Sequence, residues 1–464
     1  MRKGTGWARG LRARWQKYPG WLLFLAWVGV AAIVSVAVTL FFSAGRRSPD
    51  LVEVVRPPVD SPEFAAMVAG TAGTPLAEGG TARLLHDGDE FFPRLLNALG
   101  NARHTINFSV YIWEDGKVSD MVLPVLRERA QAGVEVRVLL DGLGSITAPN
   151  EKMEELRAAG VKIATFRAPR LGKLTRFHKR NHRRAIVIDG TTGFTGGMAI
   201  GDKWLGHAQS PENWRDTMVE VTGPLATSVQ SAFVAPWTHT TGEILAGPRF
   251  FPVHAPAVSA AEAMAPAGPA SGTPAPPGAH PVTRHTGIAS SPSHENHPLR
   301  LLLAQTFLSA NKRIYITTPY FVPDESLRKA LMERAAAGVD VRVLSNSDHT
   351  DAKPVRLASH AYFEELLAAG VKIYEYEKTM LHSKHIVVDG VWCVVGSPNM
   401  DVRSKELNEE NVLGIVDRGL GGELEKTFLE DQAGAREIRL EEWQQRGWFV
   451  RLVEQVAALF EEQY

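Results

Sequence analysis

Apolar and polar positions alternate along this chain in two rhythms. "TARLLHD", "TINFSVYIW", "VEVRVLLDG" and "VKIATF" are short β-branched runs that read as strands. Between them, "EFFPRLLNALGNA", "SDMVLPVLRERAQAG" and "NEKMEELRAAG" carry apolar residues at helical spacing. The first of these helices is expected to be interrupted near its start by Pro93. The alternation predicts an α/β fold with a mixed, mostly parallel sheet flanked by helices. The rhythm then returns about 200 residues later. "ERAQAGVEVRVLLDG" (128–142) is answered by "ERAAAGVDVRVLSNS" (333–347), and "EELRAAGVKI" (154–163) by "EELLAAGVKI" (364–373). "NHRRAIVIDG" (181–190) is answered by "LHSKHIVVDG" (381–390). A repeat that long is a duplicated domain, not a solenoid.

Other segments break the rhythm. Residues 21–44 run for 24 positions without a charge, long enough for a transmembrane helix. Eight Lys/Arg and no acid lie within residues 1–47, six of them before the apolar run. That bias predicts a cytoplasmic N-terminus and the bulk of the chain on the outer side of the membrane. Residues 45–80 read as a tether with one short helix. Residues 253–281, rich in Ala, Pro and Gly, read as a flexible linker or insertion. The expected domains are therefore a basic segment (1–20), the span (21–44), the tether (45–80), a first α/β domain (81–252), the linker (253–281) and a second α/β domain (282–464). The last ends in an amphipathic helix, "WFVRLVEQVAALFEEQY", expected to pack on that domain.

Charge and cysteine content narrow the function. Lys+Arg and Asp+Glu are 51 each, so beyond residue 47 the chain holds 43 basic and 51 acidic residues. That mildly acidic body argues against a nucleic-acid partner. The single cysteine, Cys393, excludes a disulfide framework and a cysteine metal site.

The candidate chemistry lies in the duplicated strand. In a strand, His382 and Lys384 share a face, whereas Asp389 is seven residues on, about 23 Å away and on the other face. "DG" at 389–390 predicts a two-residue hairpin turn pairing Val388 with Val391, and so His382 with Ser397. Ser397 and Asn399 then return beside the histidine. The first half repeats the register with His182, Arg184, Asp189 and Gly197, but with arginine for lysine and Ala199 at the position of Asn399. Arg176, Lys179, Arg180 and Arg183 crowd the same segment. A buried cation between neutral hydrogen-bond donors suits a phosphoryl group. Two histidines flanking one phosphodiester can divide nucleophilic attack and proton transfer between them, with no metal or other cofactor.

These residues resemble the phospholipase D superfamily, whose mark is two H-x-K-x4-D motifs, each followed by a Gly-rich return. Within it the chain is most similar to bacterial cardiolipin synthases, through "YIWEDG", "RNHRRAIVIDG", "GGMAIGD", "WRDT", "TTPYFVPDE", "LHSKHIVVDG", "GSPNMDVRSKELNEE" and "REIRLEEW". The resemblance implies two phospholipase D-like domains and a phosphatidyl transfer between two phosphatidylglycerol molecules at a bacterial inner membrane. It implies catalytic roles for His182, Arg184, Asp189, His382, Lys384 and Asp389, with His182 the nucleophile and His382 the acid/base. Substrate contacts fall to Gly197, Ser397, Asn399 and Glu114. Both motifs lie in one chain, so no oligomer is required. Hydrolysis of phospholipid, or of nucleic acid, and a lipid-binding pseudoenzyme marked by Arg184 and Ala199 stay open. Asp324 reads as a helix cap, and among Glu406, Glu409 and Glu410 the sequence does not choose a partner for the histidines.

Overall fold

A computed structural model describes residues 21–22, 24–30, 55–168, 179–253, 277–292 and 297–460. It divides into two compact units, Met1–Asp50 and Leu51–Tyr464. In the first unit residues 21–22 and 24–30 are helical. Among the described residues no helix is long and apolar enough to cross a membrane. The basic segment 1–20, the remainder of the apolar run, most of the linker (254–276) and Arg176 lie outside the described residues.

The second unit contains two α/β halves. In the first half, strands β2 (Thr81–His86), β3 (Thr105–Val110), β4 (Glu135–Asp141), β5 (Lys162–Phe166), β6 (Ala185–Ile188), β7 (Thr192–Gly196), β8 (Thr217–Thr222) and β9 (His280–Pro281) form a sheet ordered β5-β4-β3-β6-β7-β8-β2-β9. The second sheet is ordered β1-β10-β16-β15-β14-β11-β12-β13-β17. It is built from β1 (Ala77–Glu78), β10 (Arg284–Ser290), β11 (Arg313–Thr317), β12 (Asp340–Asn346), β13 (Lys372–Tyr376), β14 (His385–Val388), β15 (Trp392–Gly396), β16 (Glu410–Val416) and β17 (Ala435–Ile438). The sheets are mixed, but not mostly parallel as expected. Only β3–β4, β4–β5, β11–β12 and β12–β13 run parallel among the described pairings. The reason is local: among neighbouring strands only these are joined by crossover helices, and the other neighbours meet through tight turns or long returns.

Helix Asp87–Gly100 passes Pro93 unbroken, so the proline lies in its second turn and does not interrupt its start. Helix Glu325–Ala336 begins as expected on Asp324, whose carboxylate accepts from the Leu327 amide at 3.0 Å.

Helix Pro224–Thr241 covers β5, β6 and β7 and reaches β10 and β16 of the other sheet. Helix Arg418–Ala433 covers β14 and β15 and reaches β2. A core shared by both halves results, containing Val187, Val219, Val387, Val395 and Leu413.

Two expected boundaries are overturned. The stretch taken for a tether is part of the second half. Phe64, Ala65 and Val68 on helix Pro62–Ala72 are buried in its core, Phe64 edge-on to Trp392 at 5.1 Å, and β1 pairs with β10. In return, β9, from the expected linker, pairs with β2 of the first half. Each half thus takes a short edge strand from the far side of the other, which covers an edge that would otherwise be exposed.

Candidate active site

Each motif begins just before a strand and is held by the opposite half. The His182 amide donates to the Glu409 carbonyl at 2.9 Å, and the Glu409 amide to the Arg180 carbonyl at 2.8 Å. The other half mirrors this: His382 N–H to Arg215 O at 2.6 Å, and Arg215 N–H to Met380 O at 2.9 Å. The next residue in each receiving segment is a carboxylate. His182 Nδ1 lies 2.8 Å from Glu410 Oε1, and His382 Nδ1 lies 2.7 Å from Asp216 Oδ2. An ionised carboxylate at Nδ1 draws the ring hydrogen there and leaves Nε2 with a lone pair, whereas a protonated one donates to Nδ1 and leaves the hydrogen on Nε2. Each imidazole is therefore oriented by a carboxylate from the other half.

Side chains sew the same seam. Asn411 donates to the Arg184 carbonyl and accepts from the Arg184 amide, both at 3.1 Å. Thr217 and Ser383 share a hydroxyl hydrogen bond of 3.2 Å.

The two cations are buried, and their hydrogen bonds go to backbone carbonyls. Lys384 Nζ donates to the His382 carbonyl at 2.6 Å. Arg184 donates from Nη1 to the His182 carbonyl at 2.6 Å and from Nε to the Gly197 carbonyl at 3.1 Å, while its buried Nη2 finds no acceptor. Neither forms an ion pair among the described residues. A buried charge in that state calls for an anion. The arginine in the first motif thus repeats the lysine's carbonyl contact and adds a second.

Electrostatics link the four groups. Burial, then Arg184, pushes His182 down to about 4, with Lys384 acting in the same direction. Burial, then Lys384, Arg184 and His182, holds His382 well below the ordinary imidazole value. Burial lowers Lys384 to about 7. It also raises Asp216 to about 7, while for Glu410 the His182 and Ser397 contacts outweigh burial and hold it below the ordinary range. The two carboxylates are thus unequal, and Asp216 is the one able to keep a proton near neutrality.

Aromatic rings wall the site. Tyr111 meets His182 edge-on at 4.9 Å, and Trp204 and Trp214 lie 5.6 and 5.1 Å from His382.

The remaining predicted residues take other positions. The hairpin turn is one residue longer than expected: Val388 pairs with Trp392, not Val391, so the inferred pairing of His382 with Ser397 fails. Asp389 and Gly390 both have left-handed φ, and Val391 donates back to Val388, leaving Val391 outside the ladder. Asp189 and Asp389 stand at these turns. Asp389 accepts from the amides of Asn311, Lys312 and Arg313, and Asp189 from those of Arg103, His104 and Thr105. They anchor the hairpins and do not belong with the groups that could touch substrate.

Ser397 Oγ donates to Glu410, and Gly197 leaves room for Asp216, since a Cβ there would stand 2.1 Å from its Oδ1. Both therefore support carboxylates. Asn399 is buried with Oδ1 unpartnered, and it lines a small cavity beside Lys384 with Thr318 and Pro398. The counterpart Ala199 lies in the first-half core. Glu114 accepts from Lys203 at 2.7 Å, and Lys203 lies over Trp204 and Trp214, so Glu114 is one layer behind His382. Arg183 is neither an anion ligand nor a solvated side chain. It donates to Glu409 at 2.8 Å and to the carbonyls of Ala232 and Ser290.

Of the three glutamates left open, Glu410 is the partner. Asp216 is the site residue that the sequence reading misses, although "WRDT" enters β8 as "NEEN" enters β16. Aligning the two strand entries exposes it. Among the described residues no cluster of His, Cys, Asp or Glu could hold a metal ion.

Duplicated histidine–cation motifs, closed on each other within two α/β halves, define a phosphatidyltransferase of the phospholipase D superfamily. The chain belongs to the family described as "Cardiolipin synthase, PLD-like domain", which matches residues 95–233 and 303–432. It is 38% identical over 386 residues to the cardiolipin synthase of Geobacillus thermodenitrificans, covering 83% of this chain and 72% of that one. It is 34% identical to cardiolipin synthase A of Pseudomonas fluorescens, covering 79% and 72%. The fold is similar to that of phosphatidylserine synthase from Haemophilus influenzae, with a TM-score of 0.63 at 14% identity, covering 86% of this chain and all of that one.

Proposed function

We propose that the protein makes cardiolipin by moving a phosphatidyl group between two phosphatidylglycerol molecules through a phosphohistidine. His182 Nε2 attacks phosphorus as the bond to the glycerol oxygen breaks, and His382 gives that oxygen a proton. The hydroxyl of a second phosphatidylglycerol then loses its proton to His382 and attacks phosphorus. The P–N bond breaks and His182 is restored. Lys384 and Arg184 hold the non-bridging oxygens and offset the charge that develops on them. The apolar run 21–44 would anchor the enzyme with its N-terminus in the cytoplasm and its body outside.

The observation that carries this reading is the pair of buried cations, in no ion pair among the described residues, whose charges both bear on two imidazoles, each oriented by a carboxylate of the other half. The unequal carboxylates favour the assignment of roles. Ionised Glu410 accepts from Nδ1 of His182 and leaves its Nε2 free to attack, while burial and Arg184 keep that ring neutral. A protonated Asp216 donates to Nδ1 of His382, which puts on its Nε2 the hydrogen given to the leaving oxygen.

The test is incubation of the enzyme with vesicles containing phosphatidylglycerol. Cardiolipin and free glycerol in equal amounts are expected, with both lost in His182→Ala and His382→Ala. Phosphatidic acid without cardiolipin would replace transfer by hydrolysis, and no turnover at all would leave a lipid-binding pseudoenzyme.

A further inference from the structure

The helix Trp448–Ala458 was expected to bury its apolar face on the second half. It packs there the other way round. Its buried residue is Glu454, 2% exposed, which meets His360 Nδ1 at 3.3 Å and accepts from Arg446. Arg451 lies on the same side, 3.7 Å from Glu364. The outward face is apolar: Trp448 is 75% exposed and Phe449 62%, followed by Leu452, Val453, Val456 and Leu459. Ion pairs fix the rotation of this helix, so rolling the apolar face inward would tear out a buried carboxylate. A ridge of two aromatics and four aliphatics is larger than scattered surface apolar residues explain.

Its position relates it to the active site. The helix lies along helix Lys353–Ala368, and Ala457 and Tyr320 both pack against the cluster of Val322, Val355 and Ala358. Tyr111 lies against His182 and beneath Arg184, and the Tyr320 carbonyl accepts from Thr318, which lines the cavity beside Lys384 and Asn399, so the two tyrosines border the two motifs. On the Tyr111 side, the loop after β4 exposes Ile146 and, less fully, Leu143. This loop is tied to Tyr111 by Ser145 Oγ, which donates to the Tyr111 carbonyl at 3.2 Å. Exposed apolar side chains are thus linked to each tyrosine, Leu143 and Ile146 through the loop after β4 and helix Trp448–Ala458 through Ala457.

We propose that the outward face of helix Trp448–Ala458, with Leu143 and Ile146, is the surface on which the enzyme seats against a phospholipid bilayer. The inference rests on the phosphatidyl-transfer reading. A substrate with two acyl chains stays in the bilayer while its phosphate enters the pocket, so the mouth of the pocket must meet the membrane, and exposed apolar residues linked to both tyrosines suit that contact. Trp and Phe beside aliphatics are the composition of a helix lying in the headgroup–acyl boundary.

The full-length chain offers a direct test. Cys393 is its only cysteine and is buried, so a thiol placed at Val456→Cys, at Ile146→Cys, or at Gln131→Cys on the opposite sheet edge takes an environment-sensitive fluorophore selectively. On phosphatidylglycerol–phosphatidylcholine vesicles the first two labels should shift to the blue and be quenched by lipids brominated in the acyl chains, and the third should not. Labels at 456 and 146 that stay in water while the protein is bound would overturn the proposal. A blue shift without vesicles that grows with protein concentration would assign the face to a second copy and overturn it too. A kinetic arm separates docking from chemistry. With Phe449, Leu452 and Val456 all changed to Asp, transfer on vesicles should lose about tenfold in apparent affinity for the surface. Transfer on monomeric short-chain phosphatidylglycerol should match that of the parent. A parent that yields no cardiolipin from either substrate defeats the reaction assignment, whereas the labels still report on the surface.

Discussion

At the scale of single residues, the site is governed by what burial does to charge. Two cations and two imidazoles are buried together, and neither cation is in an ion pair among the described residues. That burial fixes the pH behaviour. His182 is lowered to about 4, so it stays neutral and nucleophilic well below the ordinary imidazole range. Lys384, lowered to about 7, loses its charge as pH rises through that value, and Asp216 loses its stored proton over the same range. Both losses remove something the reaction needs. The expected profile of kcat/KM therefore has an acid limb near pH ~4 and falls above about pH 7, while kcat holds to higher pH because bound phosphate keeps Lys384 charged. Initial rates on short-chain phosphatidylglycerol across the pH range check this. An acid limb near ~6.5 would mean an ordinary solvated imidazole and would contradict the buried site. Glu410→Gln makes the same argument by mutation. A glutamine amide facing Nδ1 favours the tautomer with hydrogen on Nε2, which cannot attack phosphorus. The expected loss in kcat is about 10²–10⁴-fold with folding intact, read by single-turnover formation of the phosphohistidine.

Among the elements, the duplicated hairpin shows how far the sequence could be followed. The strands were legible because β-branched runs and the Asp-Gly turn are local signals. The exact register was not: a turn longer by Val391 moves every pairing by one, and no local pattern distinguishes the two. The carboxylate partners were hidden for a different reason. Asp216 and Glu410 act on residues 166 and 228 positions away, across the seam, so nothing in the sequence next to His382 or His182 announces them. The motif aspartates were visible as residues, but their work is that of a hinge pin. Asp389 has φ 54° and collects three backbone amides at 2.8–2.9 Å. Asp389→Ala should therefore cost about 2–4 kcal/mol, from lost charge-assisted bonds and a left-handed backbone without its aspartate. Asp389→Asn, which tolerates that conformation, should cost less and leave kcat of the folded fraction near that of the parent. Urea melts paired with active-site titration decide it. A full loss of kcat in a stable Asp389→Asn protein would return the residue to the chemistry.

For the whole molecule, the halves are neither independent nor simply joined. The chain enters the second half first, through helix Pro62–Ala72 and β1, then builds the first half, and returns through β9 and β10. Edge strands, carboxylates and core helices are all exchanged, so the pocket exists only when both halves are closed. Composition concealed this, because residues 55–80 are small, Gly- and Pro-rich, and share no period with the second half they complete. The consequence is measurable at Phe64. Its ring is fully buried against Trp392, more than 300 residues later, whose indole N–H donates to Thr306 at 2.9 Å. Were this stretch a tether, Phe64→Ala would be silent. As part of the core it should lower stability by about 3–5 kcal/mol, while the neighbouring exposed Glu63→Ala should change it by no more than about 0.5 kcal/mol. Because Glu410 and Lys384 belong to the half that Phe64 helps to hold together, loss of transfer activity should follow the same urea midpoint as loss of structure. Activity that survived Phe64→Ala with an unchanged midpoint would detach residues 55–80 from the enzyme and undo the closed, two-way exchange on which the shared pocket depends.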